Sequence, residues 1–514
     1  MVKRKEFSLI VSFVVILIFL IGCSKETNLN AEHERALNVA VSYLRPFNPL
    51  KGFHVGAFGT VESLLGVDDN GNLIPKLAIE WEKMNDNEWK FHLRKGVLCH
   101  DGSVFNSHTV KFSIERLLDS KNKGWVNPPF DSIIIEDDYT FIIRSKYATV
   151  LLPYYLSRID MMAPSSLDEG GHFARPVGTG PFMFKEGIER KYMLLERNKN
   201  YWDGVPKLEK VIVKGVKDHK ERIQMLENGD VDVITEIHPK DIIRLRDDGK
   251  INVILNQFPY THQLLFNTKK YPFDDLSVRR AINHAIDRDY IVTNVLEDLG
   301  TAASGPFPLT FPGISQGLKR YLYSPKKAKS LLTNVGWKDI DNDGILEKDG
   351  ERFKVSLLVY SYRAELPLMA MVLKEQLKEV GISVNVQILE MEQLNSIIRK
   401  NEHEMVLSGR AVGSMPDPYE YLVSDFSSMG RNNRSGYGSA EVDLLLEAAR
   451  TTLDSKERYS VYYDVQQIIM NDTPIAFISH DVLSAACQPN IKGFEFESVF
   501  DTSYTVKDVE IVNK

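Results

Sequence analysis

The sequence predicts an α/β protein built as two lobes, and three observations carry that expectation. The chain has 514 residues, and most of them lie beyond an apolar leader, too many for one hydrophobic core. A strand–helix–strand run occupies a short span. Phe353 to Val359 is β-branched and Leu-rich, a helix is expected from about Pro367 to Val380 with Gly381 as its C-cap, and Ile382, Val384, Val386 and Ile388 then alternate with polar residues. Joints this short imply parallel pairing of the two strands. Finally, apolar stripes recur at helical spacing behind a capping serine: Val278, Ala281, Ile282, Ala285 and Ile286 behind Ser277, Val442, Leu445, Leu446 and Ala449 behind Ser439, and Val461, Val465, Ile468 and Ile469 behind Ser455.

Taken in order, the chain opens with Lys3, Arg4 and Lys5, followed by an almost unbroken apolar run from Phe7 to Ile21. A basic head and a short apolar stretch read as a secretory signal over residues 1–22 rather than a spanning helix. Its ending, Leu20-Ile21-Gly22-Cys23, looks like a bacterial lipobox, so Cys23 is expected to carry lipid and residues 23–34 to form a polar tether. Two or three acyl chains on one cysteine hold a domain at a membrane surface. Leu37 to Val41 reads as a strand, Val61 to Leu65 as the end of a helix, and Asp68 to Asn72 as a turn. Trp89 to Leu93 alternates as one arm of a hairpin, and Ser107 begins a helix running to about Leu118. Met405 to Leu407 is a further strand. No internal repeat or low-complexity tract is present.

Composition narrows the function. Hydrophobic content of 43% and charged content of 26% are ordinary for a globular protein, and a net charge of −7 without a Lys/Arg block argues against nucleic acid. Past Cys23 only Cys99 and Cys487 remain, too few for a disulfide framework or a zinc quartet, and Cys99 within Val97-Leu98-Cys99 reads as an inert buried thiol. Ser120 and Lys123 match a Ser-x-x-Lys spacing, but no Lys-Thr-Gly or Ser-Asp-Asn follows, and no His-Glu-x-x-His or Gly-x-Ser-x-Gly occurs, so no enzyme is expected. Asp230 and Asp232 flank Val231 as a strand edge. Asp339, Asp341, Asp343 and Gly344 match the first half of an EF-hand loop, but Gly350 stands where the closing Glu belongs, so a plain loop is expected rather than calcium.

Several motifs, in order, carry a resemblance. Leu77-Ala78 … Trp81 … Trp89-Lys90-Phe91 … Leu93-Arg94 … Gly96-Val97 … His100-Asp101-Gly102 opens the series. It continues with Gly178-Thr179-Gly180-Pro181-Phe182, Asn198-Lys199-Asn200-Tyr201-Trp202, Gly229-Asp230-Val231-Asp232, Asn267 … Val278-Arg279-Arg280-Ala281-Ile282 … Ala285-Ile286-Asp287-Arg288, Tyr323-Ser324-Pro325 … Gly336-Trp337, and Pro416-Asp417-Pro418-Tyr419. Together they resemble the peptide/nickel family (family 5) of extracellular solute-binding proteins of ABC importers. The resemblance implies a two-lobed periplasmic-binding-protein-like fold (type II, cluster C) with an inserted subdomain and two hinge crossings. Carried over, lobe one is residues 31–262 plus 477–514 with 53–176 inserted, and lobe two is 263–476. The crossings then fall near Gln257 to Gln263 and near Asn471 to Ile478. The expected function is capture of short peptides or similar small polar solutes, with delivery to permease and ATPase subunits. The expected protein is a monomer without cofactor, and the alternatives are a nickel or metallophore-chelate receptor and a peptide-pheromone sensor.

Site expectations concentrate on Leu407 to Pro418, which leaves the Met405–Leu407 strand where ligands of open α/β sheets collect. Arg410 there offers a guanidinium fork suited to a carboxylate. In peptide-binding relatives a carboxylate of this loop meets the peptide's α-ammonium, and the position three before Asp417 is Ser414. Trp125 is similar to a Trp-bearing segment of nickel-chelate binders, and Arg158 lies within a residue of the arginine that they use for a chelator's carboxylate. Their metal-binding histidine aligns near Gly430 and their loop tryptophan with Val412, so no histidine-ligated metal is expected.

Overall fold

The computed structural model describes residues 36–51, 54–119, 127–311, 317–318, 320–361, 363, 365–413, 415–500 and 502–512. Cys23 with its leader and tether, Trp125, the Ser120–Lys123 motif and Ser414 lie outside the described residues. Among the described residues no helix is long and apolar enough to cross a membrane.

Among the described residues, the longer strands assemble into one mixed sheet and one four-stranded sheet, with four two-stranded ribbons beside them. In chain order the strands are β1 (Ala36–Val41), β2 (Ala78–Lys83), β3 (Glu88–Leu93), β4 (Phe130–Asp137), β5 (Thr140–Ser145), β6 (Phe182–Ile188), β7 (Tyr192–Arg197), β8 (Lys210–Gly215), β9 (Val233–Thr235), β10 (Asn252–Phe266), β11 (Lys354–Tyr360), β12 (Ser383–Leu389), β13 (Met405–Ala411) and β14 (Ile475–Cys487). The large sheet runs β6-β7-β8-β1-β9-β14-β10-β13-β11-β12 and the small one β2-β3-β5-β4. The expected strand–helix–strand unit is present: β11 and β12 pair in parallel from Lys354 opposite Ser383 to Tyr360 opposite Leu389, around the helix Glu365–Glu379. Gly381 sits beyond that helix at φ +87°, a left-handed conformation that favours glycine.

Two strands hold the halves of the sheet together. β10 and β14 are antiparallel neighbours, and their outer partners change along their length. Near Val233–Thr235 β14 is flanked by β9, whereas Tyr260–Phe266 of β10 is flanked by β13. The pairing is interrupted between Asn256 and Tyr260, opposite Leu483 and Asp481. Pro259 lies in that gap and has no N–H to give to the ladder. On the partner strand the interruption lies at Asp481–Leu483, and a second irregularity in the same ladder falls between His262 and Gln263, opposite Ser479 and Phe477.

The motifs that carry the family resemblance turn out to be packing devices. Glu62, buried, accepts hydrogen bonds from Thr179 Oγ1 (2.7 Å), Tyr201 OH (2.8 Å) and Trp202 Nε1 (3.1 Å), tying Gly-Thr-Gly-Pro-Phe to the Tyr-Trp pair. A Cβ on Gly178 or Gly180 would collide with the backbone of Thr60 or Gly59. Arg279 and Arg288, both under 10% exposed, lie among backbone carbonyls. Arg279 donates to Phe273 O (2.7 Å) and Asp472 O (2.7 Å), and Arg288 donates to Phe477 O (2.6 Å). Asp232 accepts from the Asn38 backbone N–H at 2.7 Å, a strand-edge tie. Cys99 and Cys487 are buried free thiols, pushed up to about 11 by burial.

Some local expectations shift. Val61 to Leu65 is not a helix end: Glu62–Ser63 and Leu65–Val67 are short strands. The caps of two helices move one or two residues upstream, since Asp275 accepts from Ser277 N (2.7 Å) and Asp454 from Glu457 N (2.9 Å). An aspartate outcompetes the adjacent serine at that position by its charge, which complements the helix N-terminus. Ser439 caps its helix as expected.

His100 of the His-Asp-Gly motif sits between Gly178 N, which donates to Nδ1 at 3.3 Å, and Gly180 O, 2.9 Å from Nε2. That arrangement holds a neutral ring, and burial lowers its pKa to about 4, while burial beside His262 lowers His480 to about 3. Unfolded histidines titrate near 6.5, so as pH falls below 6.5 the unfolded chain takes up protons that the folded chain refuses until about pH 4. Stability at His100 is therefore lost across that window, by about 3 kcal/mol in total. Urea titrations at stepped pH should show this decline, and a His100→Gln chain should show it diminished by about that amount.

Candidate functional site

The carboxyl end of β13 meets the opposite lobe beside the interruption in β10. Val412 N and Gly413 N both donate to Pro259 O, at 2.9 and 3.1 Å, which pins the loop after β13 to the break. A Cβ on Gly413 would lie 2.7 Å from the Pro259 ring, so the close approach requires glycine. From the other side comes the segment Ala148–Arg158 with its short helix Leu152–Leu156. Tyr155 OH donates to Glu420 Oε2 (3.0 Å), Val150 N donates to Arg450 O (3.1 Å), and the Arg450 guanidinium lies 4.4 Å from the Tyr147 ring centre. Burial pushes the Glu420 carboxyl and the Tyr155 phenol upward. The two sides are closed on one another here, and the buried residues of the small sheet (Phe91, Phe141) join those of the β10–β13 half (Leu264, Val406) in one cluster.

The described candidates fall in three different situations. Arg158 reaches across the seam, donating from Nη2 to Gly413 O at 3.5 Å and to Phe500 O. Arg410 does not present its fork to the seam. Asp425 takes it in two prongs, Nε to Oδ1 at 3.1 Å and Nη2 to Oδ2 at 2.8 Å, and Ser424 Oγ accepts at 3.2 Å. Burial lowers the Arg410 pKa, but Asp425 outweighs it and leaves the group raised. Asp417 is 1% exposed and faces the helix Ser455–Asp472, accepting from Tyr462 OH (2.7 Å), Arg458 Nε (3.2 Å) and Tyr419 N (2.9 Å). Its carboxylate fixes the loop from beneath.

A charged group that sequence reasoning missed lies at the carboxyl end of β11. Arg363 donates to Glu365 Oε1 (2.5 Å) and Asp481 Oδ2 (2.7 Å), with its guanidinium 4.3 Å from the Tyr260 ring centre. His262, fully buried, has Nδ1 3.0 Å from Ser479 Oγ and Nε2 3.4 Å from Glu365 Oε1 and 3.7 Å from Asp481 Oδ2. Burial would raise Glu365, but Arg363 and His262 hold it below the usual carboxylate range, while burial dominates at Asp481 and raises it. His262, Glu365 and Asp481 present donor atoms within 4.8 Å of one another, a spacing suited to a metal, but the Arg363 guanidinium is already the cation of this group. The signals were present: polar Thr261-His262-Gln263 all buried within β10, and an Arg-x-Glu directly past a strand of the βαβ unit.

Replacing Arg363 by Met leaves two buried carboxylates without their cation, which costs about 3–5 kcal/mol at neutral pH. In urea unfolding, the gap between R363M and the parent should narrow as pH falls, because a protonated Asp481 no longer needs the partner.

Comparison with known proteins bears on this arrangement. Residues 72–433 match the family model described as bacterial extracellular solute-binding proteins, family 5 Middle. The chain is 26% identical over 543 residues to the oligopeptide-binding protein AppA of Bacillus subtilis (strain 168), covering 96% of this chain and 97% of that one. The structure of that AppA in complex with a nonapeptide is similar with a TM-score of 0.80 at 25% identity, over 93% of this chain and 100% of the other. NikA from Brucella suis in complex with Fe(III)-EDTA is similar with a TM-score of 0.85 at 25% identity, over 93% and 99%.

Proposed function

This chain belongs to the bacterial extracellular solute-binding proteins, family 5, and from that premise we infer that it captures short peptides outside the cell membrane and hands them to the permease and ATPase subunits of an ABC importer. The observation that carries the reading is the seam: two lobes joined by β10 and β14 close on each other beside a break in that pairing. A ligand entering between them is held when the lobes shut, and polar contacts strengthen as water leaves. Backbone-directed hydrogen bonds accommodate peptides of varied sequence. Nothing is turned over; capture and release are a shift between open and closed populations.

Arg158 is the residue assigned to a ligand carboxylate. It reaches the carbonyls of Gly413 and Phe500, which sets its guanidinium beside the loop after β13, where a bond to a ligand carboxylate would be charge-assisted at both ends. Arg410 supports the pocket wall through Asp425, and Asp417 supports the loop through Arg458 and Tyr462. Trp125 and Ser414 complete the set assigned from sequence, and lipidation at Cys23 keeps the monomer at the membrane. Lobe one is taken as residues 31–262 plus 477–514 with 53–176 inserted, and lobe two as 263–476. The second reading, a metal chelate held through its carboxylates, is favoured by the similarity to NikA with its bound Fe(III)-EDTA and uses the same Arg158.

Native mass spectrometry of the protein taken from its own membranes should show short peptides, and R158A should weaken peptide affinity tenfold or more with folding unchanged. A chelated metal in place of peptide would install the second reading. Cleavage of added peptides would contradict both.

A further inference from the structure

We propose that the loop Asp339–Glu347 is a calcium site, independent of the ligand seam and of the cargo that the protein carries. The loop follows the helix Pro325–Asn334 and precedes β11. Counting Asp339 as the first position of a twelve-residue loop, carboxylates stand at the first, third, fifth and ninth: Asp339, Asp341, Asp343 and Glu347. Gly344 occupies the sixth at φ +89°, where the chain must turn sharply. Gly344 N donates to Asp339 Oδ2 at 3.1 Å and Asp343 N to Asp341 Oδ1 at 3.1 Å, so these side chains fold inward over the turn. Donor oxygens of Asp339, Asp341 and Glu347 lie within 4.8 Å of one another.

The observation that points to a ligand is Glu347 itself. It is 9% exposed, and its Oε2 accepts from Ile340 N at 2.9 Å, but the buried Oε1 has no hydrogen-bond partner among the described residues. A carboxylate oxygen buried without a partner is costly, and the Glu347 carboxylate stands beside two others, which compounds the cost. The ion pairs of Arg352 go instead to Asp343 and, at 3.9 Å, to Asp341, and its side chain is half exposed, so it can swing aside. A hard cation of the size of Ca2+ takes six to eight oxygens and would satisfy Glu347 Oε1 together with the two aspartates. Mg2+ demands a tighter octahedron and keeps its water.

The base of the loop is rigid. Trp337, 2% exposed, stacks on Phe353 with ring centres 4.2 Å apart, and the residue between the seventh and ninth positions, Leu346, donates to Gly381 O (2.9 Å) and accepts from Phe353 N (2.7 Å). The ion would thus brace the start of β11 and the end of the helix Glu365–Glu379. The twelfth position is Gly350 rather than a bidentate Glu, which places affinity in the weak class of extracellular modules, about 10⁻⁴–10⁻³ M.

The test is a titration of the full-length protein with Tb3+, read by luminescence sensitised through Trp337 and competed with Ca2+ and Mg2+, alongside thermal unfolding with Ca2+. One Tb3+ per chain should bind, Ca2+ should displace it far better than Mg2+, and Ca2+ should raise the unfolding temperature saturably. E347Q should weaken Ca2+ at least tenfold. R352Q, which removes the competing cation without touching a ligand, should tighten it several-fold, so the proposal stays falsifiable even where E347Q folds poorly. No saturable Ca2+ effect in the millimolar range, or an unchanged Ca2+ affinity in both variants, overturns it.

Discussion

The constraint on which this structure depends is the antiparallel pairing of β10 with β14, the one ladder that belongs to both halves of the large sheet. On one side of Pro259 those strands are held by β9, on the other by β13. Irregularities in a ladder concentrate rotation, because a few dihedrals can change while the flanking hydrogen bonds stay intact. The charged group of His262, Arg363, Glu365 and Asp481 lies immediately beside the interruption. Buried ion pairs contribute little net stability, but they fix geometry, since breaking one leaves an uncompensated charge. It ties both strands to the loop after β11.

The same reasoning separates the two arginines near the seam. Arg410 is committed to Asp425 by two parallel bonds, an arrangement a ligand carboxylate could only replace at the expense of a buried aspartate. Arg158 donates to backbone carbonyls of Gly413, in the loop after β13, and of Phe500, in the C-terminal segment.

Much of the fold was legible because its signals are local. The β11–helix–β12 unit follows from apolar periodicity and one left-handed glycine, and the order of short motifs implied two lobes. The site was less legible, for a physical reason. Whether Arg410 meets a ligand or Asp425 depends on how the helix Tyr419–Phe426 docks, and whether Asp417 faces solvent or Tyr462 depends on a helix some forty residues away. The group around Arg363 assembles from two strands, a loop and the start of a helix, so no window of sequence contains it. Capping serines were misassigned where an aspartate stood beside them, a competition that neighbouring charge decides.

The account's central claim, that two rigid lobes pivot at the break in the β10–β14 ladder to enclose cargo, is tested most directly by small-angle scattering of the purified protein stripped of ligand and then returned to a peptide mixture. The account predicts a smaller radius of gyration and a profile matching the closed seam once peptide is present, with a more open profile before. An identical profile in both conditions, with peptide demonstrably bound, would contradict it.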